Sequence, residues 1–172
     1  MPVDVLFALW PLGPNFMPWQ VVTYAFLHGD FFHLFFNMLG LWMFGSELER
    51  LWGPKRYIHL LLASVVAAAA VQLIFTTITG SMSPTVGASG GLFGLLLSYG
   101  MLFPNRVIMP LFPPIPMKAR TFVAVFGGLE LLFGLSGRSG VAHFAHLGGM
   151  LGAWLMIRYW RGQSPLSGRR RR

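Results

Sequence analysis

Apolar residues run through this chain in five stretches of roughly 15 to 23 residues, divided by short clusters of charge, proline and glycine. Stretches of that length match the roughly 20 apolar residues that a helix needs to cross a bilayer core, and they leave little polar surface for any other fold. Only 10% of the 172 residues are charged, 55% are hydrophobic, and the mean hydropathy is +0.61. A soluble domain carries about 25% charged residues, so this composition excludes a soluble enzyme and points to an integral, multi-pass membrane protein. The net charge of +8 does not mark a nucleic-acid-binding face. Four of the 13 basic residues are Arg169 to Arg172, and the others stand at the edges of apolar runs. The absence of cysteine excludes disulfides, thiolate catalysis and cysteine-based zinc sites.

The expected spans are Phe26 to Phe44, Tyr57 to Thr79, Ser89 to Phe103, Thr121 to Leu135 and Val141 to Tyr159. The first should stop at the polar group Glu47, Glu49, Arg50, Gly53 and Pro54. The second contains the Ala67 to Ala70 run, whose small side chains let helices approach closely. The prolines of MPLFPPIPMK forbid a continuous helix between the third and fourth spans and mark a connecting loop. This gives an all-α, polytopic helical membrane bundle. Residues 1–25 form a loop-like N-terminal segment, residues 26–160 the membrane domain, and residues 161–172 a basic tail. Twelve basic residues fall on one side of such a bundle and only Arg138 on the other. The positive-inside rule makes the first side, with the C-terminus, cytoplasmic. Five spans ending inside put the N-terminus outside, yet residues 1 to 20 hold neither a signal peptide nor a full span, so a preceding helix is expected upstream.

The third span is unusual. About 15 residues at 1.5 Å each cover roughly 22 Å of a hydrocarbon core about 30 Å thick, so its outer end should lie below the membrane surface. Short, glycine-interrupted membrane helices often mark functional sites. At this helix start stands Gly87-Ala88-Ser89-Gly90-Gly91, a G-x-S-x-G run without the strand-to-helix setting of an α/β-hydrolase. Its glycines permit close backbone approach, and unpaired N–H groups at a helix N-terminus can stabilise a developing oxyanion. On this run alone, the blander account of an N-cap serine in a helix-packing motif is the stronger.

A nucleophilic serine needs a base, and polar residues inside a membrane carry a cost that presumes function. His143 and His146 lie near the outer end of the fifth span, at the depth of Ser89. His146 shares a face with Ala142, Gly149 and Ala153, a small-residue stripe suited to packing on the glycine face of the serine helix. His143 points about 60° away and ranks second, with an interfacial hydrogen bond as its ordinary role. In the first span, His33 and Asn37 are four residues apart and face the same way, as donors able to bind an oxyanion. Singly, each has a bland account as interhelical glue. Together, three spans bring Ser, His and His/Asn to one depth. Glu130, within the fourth span, reads first as a structural residue, protonated or satisfied by a neighbouring helix, with a hydrogen bond near the site as the alternative.

These elements resemble the rhomboid family of intramembrane serine proteases: the H-x4-H-x3-N run of His28, His33 and Asn37, the GASGG run around Ser89, and A-H-L-G-G from Ala145 to Gly149. The resemblance extends from about Trp19 to Tyr159. It implies a Ser89–His146 dyad, an oxyanion hole of His33, Asn37 and the Ser89 backbone, and support from His28, Gly87, Gly90 and Gly149, with no metal or cofactor. It also implies that the first of the family's six core helices is missing here. The expected activity is cleavage of transmembrane segments of membrane proteins near the outer membrane boundary. Partners would be transmembrane substrates and the lipid bilayer, with no nucleic acid, and the expected location is a bacterial inner membrane. The alternatives are a catalytically inactive rhomboid-like binder of membrane proteins and a histidine-lined metal or proton transporter.

Overall fold

A computed structural model describes residues 2–110, 114–136 and 142–162. Its elements, in chain order, are α1 (Val3–Phe7), α2 (Gln20–Thr23), a 3-10 turn (Tyr24–Phe26), α3 (Phe31–Thr79), α4 (Ser89–Leu102), β1 (Val107–Ile108), β2 (Met117–Lys118), α5 (Ala119–Ser136) and α6 (His143–Trp160). The protein is a helical membrane bundle.

The 49 residues of α3 would span about 73 Å if straight, more than twice a hydrocarbon core, so the helix must turn back. It does so at Gly53, whose φ of 78° is a left-handed conformation that favours glycine, and Pro54 then starts the second limb. Helical backbone therefore continues through Glu47, Glu49 and Arg50, and the expected stop is made by its last two members, Gly53 and Pro54. The first limb also begins later than expected, at Phe31. Asp30 provides the reason: its side chain accepts a hydrogen bond from the His33 N–H and caps the helix.

At the same end of the molecule as the kink, Arg106 reaches Glu47 and Tyr99, and Trp52 packs edge-on against Trp160 with ring centroids 5.2 Å apart. The Arg56 guanidinium lies over the Trp160 ring. Arg106 and Arg56 thus lie at the kink end of the bundle. Arg138 and the terminal arginines lie outside the described residues. The proline-rich connection between α4 and α5 is not wholly irregular, because β1 and β2 pair antiparallel, Val107 with Lys118 and Ile108 with Met117.

α4 is the central element, with nine of its 14 residues buried. Glycines let its neighbours come to backbone contact. A methyl group on Gly149 of α6 would overlap the Gly90 carbonyl oxygen and stand 2.7 Å from its carbonyl carbon. One on Gly90 would lie 2.6 Å from the Ala68 Cβ. Without a hydrophobic force between helices in lipid, this close van der Waals packing is a main source of association. Outward positions such as Trp42, Ile74, Ile78 and Leu132 are more than half exposed, the surface expected to face lipid chains.

The N-terminal segment, expected to be loop-like, holds two short helices folded around Gln20. That side chain is fully buried, accepts from the N–H groups of Trp10 and Met17, and donates to the carbonyls of Val5 and Asn15. The segment then anchors the loop before α4. Leu9 and Thr85 exchange both backbone hydrogen bonds at 2.9 Å, and the Gly87 N–H donates to the Tyr24 carbonyl. The Tyr24 hydroxyl in turn donates to the Val65 carbonyl at 2.8 Å. Irregular backbone at membrane depth needs such partners.

Candidate active site

Ser89 is the first residue of α4, and Ala88 occupies the N-cap position. The serine therefore does not cap its own helix, while Gly90 of the same run does serve helix packing. Its Oγ lies 2.7 Å from Nε2 of His146 on α6, across 57 residues of sequence. The Phe93 ring, one turn beyond Ser89, stacks on the imidazole with centroids 4.3 Å apart and planes within 5°. Stacking on one face and hydrogen bonds at the ring edge limit the rotation of His146. The first hydrogen bond within α4 runs from the Leu92 N–H to the Ala88 carbonyl, so the N–H groups of Ser89 to Gly91 lie ahead of the ladder and point out of the helix.

The first limb of α3 supplies the opposite wall. The Gly29 N–H donates to Nδ1 of His33 at 3.3 Å, which puts the ring proton on Nε2 and makes that nitrogen a donor. Nε2 faces the same space as the serine: a methyl group on Gly87 would stand 2.8 Å from it and 3.6 Å from Ser89 Oγ. Gly87 has φ of 124°, so both conformation and space require glycine there. The buried Asn37 amide donates one N–H to the His33 carbonyl and retains a second. The His28 ring packs edge-on against His33, with centroids 5.1 Å apart. Burial, and then the neighbouring His33, hold His28 below the usual histidine range.

These groups border a cavity of about 780 Å³ lined by His33, Asn37, Ser89 and His146, with Asp30, Gln72, Ser81, Ser83 and Thr85 among its polar walls. A cavity of that volume holds many waters or an extended peptide segment. The structure thus brings together Ser89, His146, His33 and Asn37, with His28 behind His33, Gly87 between the two sides, and Gly90 and Gly149 at the helix contact. Such an arrangement has the parts for nucleophilic attack and for holding a negative oxygen.

Two residues were read differently from sequence. His143, expected at the interface, is 8% exposed, and its Nδ1 lies 2.6 Å from Oε2 of Glu130. The same carboxylate oxygen is 2.8 Å from Nδ1 of His146. Glu130, expected first as a structural residue and second as a hydrogen-bonding group near the site, is thus in direct contact with the candidate base. The available signal was its position as the lone acidic residue of an apolar span. What the sequence could not supply was its register against α6. These three groups also form the one cluster of possible metal ligands among the described residues. The Glu130 oxygen holds both histidines at hydrogen-bonding separation. Ligands placed about 2.0 Å from a tetrahedral zinc would stand about 3.3 Å apart, so an ion would first have to part Glu130 from each histidine.

Fold and site define a class: a polytopic membrane protein with a serine and a histidine hydrogen-bonded beside an open cavity with polar side chains in its walls. Residues 15–162 match the Rhomboid domain family. The chain belongs to the rhomboid family. It is similar to Rhomboid protein 1, mitochondrial, of Saccharomyces cerevisiae, 34% identical over 99 residues that make up 56% of this chain and 29% of that protein. It is also similar to the Presenilin-associated rhomboid-like protein A, mitochondrial, of Danio rerio, at 31% identity over 85% of this chain and 40% of the relative. The Rhomboid protease GluP of Bacillus subtilis is 30% identical over 79% of this chain and 25% of its own length. The chain therefore spans between a quarter and two fifths of the length of these relatives. They correct one expectation. The yeast and zebrafish proteins, with a plant relative and mammalian ones, are mitochondrial, which overturns the bacterial inner membrane and the cytoplasmic C-terminus drawn with it.

Proposed function

We propose that this protein is an intramembrane serine endopeptidase that cleaves transmembrane segments of other membrane proteins through Ser89 and His146. The observation that carries the reading is the 2.7 Å hydrogen bond between Ser89 Oγ and His146 Nε2, at a helix start beside the cavity. The name of the Bacillus subtilis relative, a rhomboid protease, supports the same activity, and the mitochondrial relatives support a mitochondrial membrane as its setting.

In this reading a substrate segment enters the cavity locally unwound, since a helical peptide bond is shielded. Ser89 Oγ attacks the scissile carbonyl while His146 Nε2 takes the hydroxyl proton. The negative oxygen then meets His33 Nε2–H, the free N–H of Asn37 and the Ser89 backbone N–H. His146 returns the proton to the leaving amine, the C–N bond breaks, and an acyl-enzyme remains. Water from the cavity repeats the sequence at the ester and releases Ser89. Placing α4 below the membrane surface, with its 14 residues covering about 21 Å, keeps the reaction near one face of the bilayer.

The test is a panel of single-span substrates incubated with detergent-purified protein, alongside a fluorophosphonate probe. Cleavage and labelling should both disappear in Ser89→Ala while thermal unfolding is unchanged. Turnover retained by that variant defeats the mechanism. A wild-type protein that binds substrates but is neither labelled nor able to cleave them is an inactive family member, and stoichiometric zinc binding without labelling favours transport.

A further inference from the structure

We propose that Glu130 is a positioning residue for His146, so that this chain works with a Ser89–His146–Glu130 relay rather than a serine–histidine pair alone; this rests on the protease reading above. The three groups are joined through one imidazole. Ser89 Oγ is 2.7 Å from Nε2, and Glu130 Oε2 is 2.8 Å from Nδ1. An ionised carboxylate only accepts hydrogen bonds, so Nδ1 carries the proton and Nε2 presents its lone pair to the serine hydroxyl. That is the tautomer a general base needs. A second donor, Nδ1 of His143 at 2.6 Å, holds the same oxygen in place. The Glu130 side chain is 13% exposed, and Phe93 covers the face of the His146 ring, so the relay is largely screened from water.

Proton bookkeeping is complete without further reactants. As the bond from Oγ to the scissile carbon forms, the serine proton moves to Nε2, and the imidazolium keeps its Nδ1–H on the carboxylate. The proton then passes from Nε2 to the leaving nitrogen as the C–N bond breaks. In deacylation a water gives its proton to Nε2, and Oγ recovers one. Glu130 neither gains nor loses a proton; it selects the tautomer and balances the charge that appears on His146.

A purely structural role is the competing account. The buried residues of α5 are Ala119, Phe122 and Val123, all at its inner end, so Glu130 is also where the outer half of the helix is tied to α6. Two variants separate the accounts. Glu130→Gln keeps the shape and removes the charge; His143→Ala cuts the other tie and leaves the His146 contact. Initial rates across a substrate series should show kcat in Glu130→Gln falling roughly 10²- to 10⁴-fold with KM within about threefold. The fluorophosphonate labelling rate should fall in parallel at an unchanged unfolding temperature. His143→Ala, which loosens Glu130 but leaves its charge and its contact with His146, should lose clearly less kcat than Glu130→Gln. If Glu130→Gln does not fold, Glu130→Asp, one methylene shorter, should still lose kcat and labelling rate without a KM change. The proposal is overturned if kcat and labelling in the glutamate variant stay within threefold of wild type. It is equally overturned if the Glu130 and His143 variants lose cleavage alike with labelling unaffected. Wild-type labelling that vanishes in Ser89→Ala shows the protease reading standing whatever Glu130 does. A wild type that neither labels nor cleaves removes both.

Discussion

Replacing Gly149 with alanine adds one methyl group at the point where α6 meets α4 backbone to backbone. It would overlap the Gly90 carbonyl oxygen and stand 2.7 Å from the carbonyl carbon and 3.1 Å from the Gly90 Cα. These are main-chain atoms, so no side chain can rotate away. Bringing them to ordinary contact near 3.4 Å requires the helices to part by about 1 Å or more locally. His146 is one turn before Gly149 on α6, and Ser89 directly precedes Gly90 on α4. The separation therefore stretches the 2.7 Å Ser89–His146 hydrogen bond towards the limit of useful contact. A displacement of 1 Å in a catalytic pair costs on the order of 10²-fold in rate, or about 2.7 kcal/mol of barrier. The lost packing should also cost about 1 to 3 kcal/mol of stability. The assay is the initial rate of cleavage of a single-span substrate, with the fluorophosphonate labelling rate and the unfolding temperature measured on the same preparation. Gly128→Ala is the control: the structure shows nothing within 4 Å of the added methyl, and alanine is the better helix former by up to about 1 kcal/mol. If Gly149→Ala cleaves within threefold of wild type, the helix contact does not set the geometry of the pair and the packing argument fails.

The oxyanion donors should act on kcat: His33→Ala and Asn37→Ala should each lower it by roughly 10²- to 10³-fold with little change in KM, as for one lost donor. A change in KM alone would instead make these residues substrate contacts. His28 gives a pH dependence. Burial and His33 hold its pKa below the unfolded value of 6.5, so protonation opposes the native state; its contribution to stability is full above 6.5 and is lost as pH falls towards the folded value. His28→Phe, which cannot be protonated, should flatten the fall in unfolding temperature between about pH 7 and pH 5. An unchanged slope would show that His28 does not titrate against the fold.

The membrane class, the existence of the spans and the candidate residues were legible in the chain itself. Apolar runs as long as the bilayer is thick have few alternatives, and an ionisable or hydroxyl group within them stands out against its surroundings. The glycine at Gly87 and the short serine helix could be read in the same way, because conformation and length are local properties. The stop after the first span was legible in part: Gly53 and Pro54 break the helix as expected. Glu47 and Arg50, also polar enough to end a hydrophobic run, do not, and Glu47 meets Tyr99 of α4 and Arg106 from the loop beyond it. The order within the N-terminal segment was hidden for a similar reason, as Gln20 draws its partners from three separate stretches of chain.

The site divides along the same line. Composition and spacing determined that Ser89, His33, Asn37 and His146 would lie at one depth, because depth follows from counting residues along each helix. Which groups touch was decided only by the rotation and lateral packing of the helices. Sequence spacing put His143 and His146 on different faces of α6, yet α5 docks so that a single Glu130 oxygen reaches Nδ1 of both. Helix phase relative to a neighbour depends on which side chains are small enough to let backbones meet, here Gly90 and Gly149, and that is a property of the assembled bundle rather than of any one segment.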